Sequence, residues 1–344
     1  MLRFDNDYAE GGHPRILQRL IETNMEQHPG YGADRYCEEA RELIKEACQT
    51  PDADVHLLVG GTQTNKIVIA TILRPHQGVL SPQSGHINVH ETGAIEATGH
   101  KVLTLPTEDG KISADQVRAY YDAHFSDAGN VHTVQPGMVY ISQPTEYGTS
   151  YTKTELEALS TVCREKKMPL FIDGARLGYA IASEKNDLSL ADIGALADVF
   201  YIGGTKVGAL FGEAVVITND SLKSGFRYVI KQNGGLLAKG RLLGIQFGTL
   251  FEDGLYTEIS RQAVTMALAI RKAFEAKGFS MRYDSPTNQQ FPILPNEALT
   301  ALSKKYSFTF WEKIDEDHSV VRFCTSWATN PKSVEALLLD IKDL

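Results

Sequence analysis

Between Val55 and Ile217 short apolar runs alternate with amphipathic stretches, and only a narrow set of folds accepts that rhythm. The runs that read as strands are VHLLV (55–59), GVLSPQS (78–84), VLTLP (102–106), MVYISQP (138–144), PLFID (169–173), ADVFYI (197–202) and EAVVI (213–217). Most lack a polar face, as strands covered on both sides do. Segments such as SADQVRAYYDAHF (113–125) and TKTELEALSTVCREK (152–166) carry a helical period that can supply the cover. The expectation is an α/β domain built on a mainly parallel seven-stranded sheet. Further helices are predicted from Pro14 (RILQRLIETNME), over Tyr36–Gln49, and where HETGAIEATG follows Ile87.

After EAVVI the character changes. A cationic stretch with Lys231, Lys239 and Arg241 around a glycine pair leads into a long helix over Thr257–Lys277, of the kind that links a large domain to a small one. Strand signals return as FSMRY, FPILP, SFTFWEKI and SVVRFCTSW, closed by a helix over Lys332–Asp340. We therefore expect a polar arm (1–12), a large α/β domain (13–250) and a small α+β domain (251–344).

Five local patterns carry chemistry. Lys206 sits in a glycine-rich break between ADVFYI and EAVVI. A lysine on such a turn is either a solvated hairpin residue or an amine whose ammonium is destabilised by its surroundings and freed to attack a carbonyl. Asp173 ends an apolar strand just before Gly174-Ala175-Arg176. It either caps a following helix or points into the crevice at the carboxyl end of the sheet. A strand-end carboxylate followed by a lysine in a glycine turn is also the layout that pyridoxal phosphate needs. The lysine holds the cofactor as a Schiff base and the carboxylate keeps the ring nitrogen protonated. Gly60-Gly61-Thr62-Gln63 opens a helix after a strand, which is a plain connection or an anion site at a helix N-terminus. His86, just past a strand end, is a capped or solvated histidine or a ring stacked on a flat cofactor. Arg322 lies mid-strand among apolar neighbours, so it is an exposed edge residue or it meets a carboxylate.

Composition narrows the classes. The formal net charge is −9, with acids and bases interspersed, which argues against nucleic acid and anionic membranes as partners. No apolar run is long enough to cross a bilayer and the N-terminus MLRFDNDYAE is polar, so a cytoplasmic protein is expected. Cys37, Cys48, Cys163 and Cys324 are widely spaced and read as reduced structural thiols; no metal site is expected.

Taken in order, Asp7, PGYGAD (29–34), GGTQTN (60–65), GHINVHETGA (85–94), DGARLG (173–178), GGTKVGALFG (203–212) and VVRFCTSW (320–327) resemble the fold-type I pyridoxal-phosphate enzymes. Within them the resemblance is to the threonine aldolase and β-eliminating lyase branch. It implies an aspartate-aminotransferase-like fold and pyridoxal 5'-phosphate carried on Lys206. Asp173 would pair with the ring nitrogen and His86 would stack on the ring. Gly61 and Thr62 would hold the phosphate with a cation from a neighbouring subunit, for which Lys239 is the choice. Arg176, counted with the cofactor set as well, and Arg322 would hold the substrate carboxylate, with Asn6 where the family commonly has serine and with Tyr31 and Glu146 nearby. Glu146 stands where threonine aldolases commonly have a histidine, and the lysine context also departs from the family's usual Ser-Lys-Gly; both departures bear on the substrate.

The implied reaction is reversible retro-aldol cleavage of a β-hydroxy-α-amino acid, of the L-threonine or L-allo-threonine type, to glycine and an aldehyde. His86, Glu146 or a water stand as candidate bases. A β-elimination or deamination, a transamination, and a catalytically silent homologue that binds the vitamer or an amino acid are the alternatives. A homodimer or homotetramer with shared active sites is expected.

Overall fold

A computed structural model describes residues 1–344. The chain opens on β1 (Leu2–Arg3), and the apolar runs follow as β2 (Asp54–Leu58), β3 (Gln77–Pro82), β4 (Val102–Leu105), β5 (Gln135–Ser142), β6 (Leu170–Asp173), β7 (Val199–Gly203) and β8 (Glu213–Ile217). They form one sheet in the order β2-β8-β7-β6-β5-β3-β4. Neighbours from β7 through β4 pair in parallel, while β8 runs antiparallel to both β2 and β7. That reversal follows from the short link 204–212, which can join only strands of opposite sense.

The helices are α1 (Pro14–Glu22), α2 (Arg35–Cys48), α3 (Gly61–Ile72), α4 (His86–Val89), α5 (Ala114–Ser126), α6 (Lys153–Lys166), α7 (Leu177–Ile181), α8 (Leu190–Leu196), α9 (Phe226–Gln232), α10 (Arg241–Phe251), α11 (Leu255–Ala276), α12 (Asn296–Ser303) and α13 (Pro331–Lys342). Because successive side chains of a strand point to opposite faces, the sheet makes two cores. Val139, Ile141, Ile172, Phe200 and Ile202 pack on one face with residues of α2, α6, α8, α10 and α11. Met138, Tyr140, Phe171, Val199 and Tyr201 pack on the other with Ile67 and Val68 of α3 and Phe226 of α9.

The C-terminal strands are β9 (Gln289–Gln290), β10 (Ile293–Pro295), β11 (Tyr306–Ser307), β12 (Thr309–Lys313) and β13 (His318–Cys324). β13 pairs antiparallel with β9, β10 and β12, and a third core lies beneath, with α11 and α13 contributing Ile270, Phe274, Leu337 and Ile341.

Three local expectations are corrected. The start of the arm is a strand: β1 pairs in parallel with β11, and the neighbouring Phe4 is buried in the third core, which anchors it. The stretch 90–99 is not one helix. Thr92 (φ 54°) and Gly93 (φ 72°) adopt left-handed backbone, which no α-helix continues, and only a short 3-10 turn (Glu96–Thr98) follows. FSMRY is not a strand: it meets the following chain only at an isolated bridge between Met281 and Pro292, made by the Arg282 N–H to the Phe291 carbonyl and the Ile293 N–H to the Ser280 carbonyl.

Candidate active site

Period two along the strands builds the centre. Phe171 and Asp173 share a face of β6, and Tyr140 of β5 and Tyr201 of β7 lie on that same face, so the last carboxylate of β6 meets two phenols from its neighbours. Tyr140 Oη donates to Asp173 Oδ2 at 2.7 Å and Tyr201 Oη to Oδ1 at 2.5 Å. Asn65 Nδ2 of α3 donates at 3.0 Å and the Ala175 N–H at 3.0 Å. Burial alone would raise the Asp173 carboxyl. The nearby His86 and the Tyr201, Tyr140 and Asn65 donors outweigh burial and hold it below the usual range, so this buried side chain stays an anion.

Beyond β7 the chain turns through Gly204-Thr205-Lys206. The turn is closed by Gly204 N–H and Thr205 N–H, which bond to the Gly212 carbonyl at 2.9 and 3.0 Å, and Gly208 (φ 88°) sits within it in left-handed backbone. Lys206 Nζ takes no hydrogen-bond or ion-pair partner. Burial lowers its pKa first, with the Arg176 charge adding to the effect against the pull of Asp7, Asp173 and Glu213. The amine is thus pushed toward the neutral, nucleophilic form. Across the cavity Gly60 begins α3 and has no side chain to cap it, leaving the first N–H groups of α3 free to face an anion.

Most of the residues singled out in the sequence converge here. Gly61, Thr62, His86, Glu146, Asp173, Arg176 and Lys206 line one cavity with Tyr8, Ser142, Tyr201, Thr205 and Glu213. His86, in the first turn of α4, binds Glu91 through Nδ1 at 2.8 Å; burial opposes its charge, yet Glu91, Asp173 and Glu146 raise its pKa. Glu146 accepts from Ser142 Oγ at 2.9 Å, and burial raises its carboxyl, with His86 opposing. Arg176 is already engaged: its Nε and Nη2 donate to Asp7 at 2.7 and 3.0 Å, leaving Nη1 without a partner in the chain.

Four of the residues do not line that cavity. Arg322 meets no carboxylate. It bonds to the Asp5 carbonyl (2.9 Å) and Gln289 Oε1 (3.2 Å) and lies over the Trp311 ring, so its charge is not neutralised within the chain. Asn6 is turned to its own arm, donating to Asp5 at 3.0 Å and accepting from the Tyr8 N–H at 3.0 Å. Tyr31 is exposed, with Lys231 4.5 Å from its ring centre, and Lys239 is exposed on the loop before α10.

Sequence reasoning missed the supports. Asn65 and Glu91 stand inside the motifs GGTQTN and GHINVHETGA, and Tyr140, Tyr201 and Glu213 inside strand runs, and the sequence gives none of them an individual role. One signal was present: Thr64 and Asn65 sit on the buried face of α3, where an amphipathic helix should be apolar. The donor set suits a flat, anionic, aldehyde-bearing group, with an unpartnered amine, a buried ionised carboxylate for a ring nitrogen, and a bare helix N-terminus for a phosphate.

A family model described as Beta-eliminating lyase matches residues 6–292. A low specificity L-threonine aldolase of Pseudomonas aeruginosa is 29% identical over 343 residues, covering 99% of this chain and 97% of that protein. Among solved structures, the threonine aldolase of Leishmania major is 46% identical with a TM-score of 0.97, covering 100% of this chain and 99% of that one. A double mutant of Thermus thermophilus aspartate aminotransferase covers 100% of this chain and 92% of its own at 15% identity and a TM-score of 0.71. That last likeness carries the fold alone, which is aspartate-aminotransferase-like as expected.

Proposed function

The chain belongs to the β-eliminating lyase family, and on that premise we propose that it is a pyridoxal-phosphate-dependent aldolase. It reversibly splits a β-hydroxy-α-amino acid of the L-threonine or L-allo-threonine type into glycine and an aldehyde. The observation that carries this reading is the meeting of an unpartnered Lys206, an ionised Asp173 and the bare N-terminus of α3 around one cavity. When bound, the cofactor supplies an aldehyde for amines and a ring that accepts the electrons of a breaking bond at Cα.

The chain's own residues do the rest. Gly61 and Thr62 bind the phosphate at the helix terminus. Lys206 provides the capturing amine. Asp173, fixed by its four donors, holds a proton at the ring nitrogen by remaining an anion. His86, steadied by Glu91, bounds one side of the ring. Arg176 through Nη1, and Arg322 from the small sheet, would receive the substrate carboxylate and so orient the amino acid in the cavity. Glu146 takes the proton of the β-hydroxyl, because burial raises its carboxyl and makes it a stronger base than an ordinary carboxylate.

Tyr31 and Lys239, exposed and outside the lining of their own chain's cavity, serve the cavity of a second copy, so the working assembly is at least a dimer. The enzyme acts on a free amino acid, in the cytoplasm; no helix is long and apolar enough to cross a membrane. Incubation with L-threonine, assayed separately for acetaldehyde with glycine and for 2-oxobutanoate with ammonia, tests the reaction. Oxobutanoate without acetaldehyde would replace the aldolase with an eliminating enzyme.

A further inference from the structure

Glu213 is the first residue of β8, the strand that runs against the others, so it begins at the sheet edge where they end. It pairs with Leu58 of β2 on one side and Gly203 of β7 on the other. Two residues past Leu58 is Gly60, which opens α3, and just past Gly203 are Thr205 and Lys206. The carboxyl therefore sits between the helix terminus assigned to the phosphate and the amine assigned to the aldehyde, and it lines their cavity while only 3% exposed. Thr205 Oγ1 donates to its Oε1 at 2.8 Å and the Gly204 N–H to its Oε2 at 3.2 Å. A carboxylate and a phosphate dianion cannot share a dry corner without strong repulsion, and the cheaper solution is for one of them to be protonated.

We propose that Glu213 serves the cofactor's phosphate end as a neutral acid, so that above neutral pH each cofactor taken up brings about one proton with it. This rests on the cofactor reading above. The free chain is already poised for it. Burial raises the Glu213 carboxyl, Thr205, Lys206 and Gly204 draw it down, Asp173 adds to the rise, and it settles at about 8. The other titratable groups that feel it are Lys206 beyond β7, Asp173 of β6, Tyr201 of β7 and Tyr256 of α11. The two phenols are pushed up and stay neutral, and Asp173 is held down and stays charged. Lys206, whose ammonium burial destabilises, shares the cavity, and any loss of its charge also weakens anion binding, while the probe's own ring and phosphate exchange protons equally in every chain compared. The test is therefore a difference between chains that share Lys206.

The probe is pyridoxine 5'-phosphate, whose alcohol replaces the aldehyde and so forms no bond to the lysine. Its binding to the full-length chain freed of cofactor is followed by calorimetry in buffers of different ionisation heat. In the wild type, proton uptake should be near zero at pH 7 and should rise toward one per site at pH 9. Glu213→Gln should take up close to one proton fewer at pH 9. Between pH 8 and 9.5 the wild-type Kd should rise more steeply than the variant's, by up to about tenfold per pH unit, leaving the variant the tighter binder at pH 9. Glu213→Met, neutral and of similar size, should repeat the result if the amide disturbs the turn. Equal proton counts and slopes in wild type and variants would overturn the proposal. So would tight wild-type binding at pH 9 without proton uptake, which needs no variant at all. If neither pyridoxine 5'-phosphate nor pyridoxal 5'-phosphate binds at any pH, the cofactor reading fails first and takes this proposal with it.

Discussion

Removing Asp7 should destabilise the fold far more than its place in an N-terminal arm suggests. The carboxylate is fully buried and accepts two hydrogen bonds from Arg176 and a third from Asn288 Nδ2 at 2.9 Å. Burial raises its pKa, but Arg176 and Lys206 outweigh that and hold it at about 2 against an ordinary 3.8. At about 1.4 kcal/mol per pH unit, that difference corresponds to roughly 2.5 kcal/mol of stability. The folded-state value lies below the unfolded one, so this contribution is complete above pH 3.8 and is lost as pH falls through about 2. Asp7→Asn, which keeps a hydrogen-bonding partner but loses the charge, should cost about that much.

Asp7→Ala should cost more, about 3–5 kcal/mol, because it also strands the Arg176 guanidinium, whose side chain is only 12% exposed. With an unfolding entropy of about 2.1 cal/mol/K for each of 344 residues, Tm should fall by about 4–7 °C. Urea denaturation of wild type, both single variants and Asp7→Ala/Arg176→Ala at pH 7 provides the measurement. The double variant should recover part of the loss by removing the stranded charge. A cost below about 1 kcal/mol for Asp7→Ala, or a double variant no more stable than the single, would refute the argument.

Lys206→Ala should abolish both the visible absorbance of the loaded enzyme and borohydride labelling at that position; labelling elsewhere would move the attachment point. Tyr201→Phe removes one of four donors to an ionised carboxylate, a bond worth about 1.5–3 kcal/mol, so Asp173 should become easier to protonate by about one to two pH units. The pH dependence of the bound cofactor's spectrum reads this out, and an unchanged profile would count against the phenol's role. Because Glu146 must be ionised to accept a proton and its pKa is raised, wild-type kcat should climb with pH through a value above the ordinary carboxyl range. Glu146→Gln should lose that limb and about 10²–10⁴ in kcat, and a variant that keeps the limb would return the role to His86 or water.

The sheet was legible because burial on both faces leaves an unmistakable pattern, and β2 through β8 occupy the seven runs read from the chain. Lys206, Asp173, His86 and the Gly61-Thr62 turn were legible because each falls where a strand ends, a position the alternation itself marks. What surrounds them was not. Tyr140 and Tyr201 look like any apolar strand residue until the order β7-β6-β5 places them on either side of Asp173, and no single segment encodes that order. Asp7 finds Arg176 across 169 residues of chain, and Asn65 reaches Asp173 across 108. Arg322 shows the reverse case. A buried-looking strand arginine should pair with a carboxylate of its own fold, and this one meets only carbonyl, amide and hydroxyl oxygens. A cation held in place yet left uncompensated costs the fold free energy, and a substrate carboxylate is the partner that would recover it. The same logic runs through the cavity, where an amine without a partner, a helix end without a cap and a carboxyl pushed toward neutrality are each unfavourable alone. Each becomes favourable with one anionic, carbonyl-bearing guest, which is why local pattern finds the reacting groups and only the assembled sheet explains their surroundings.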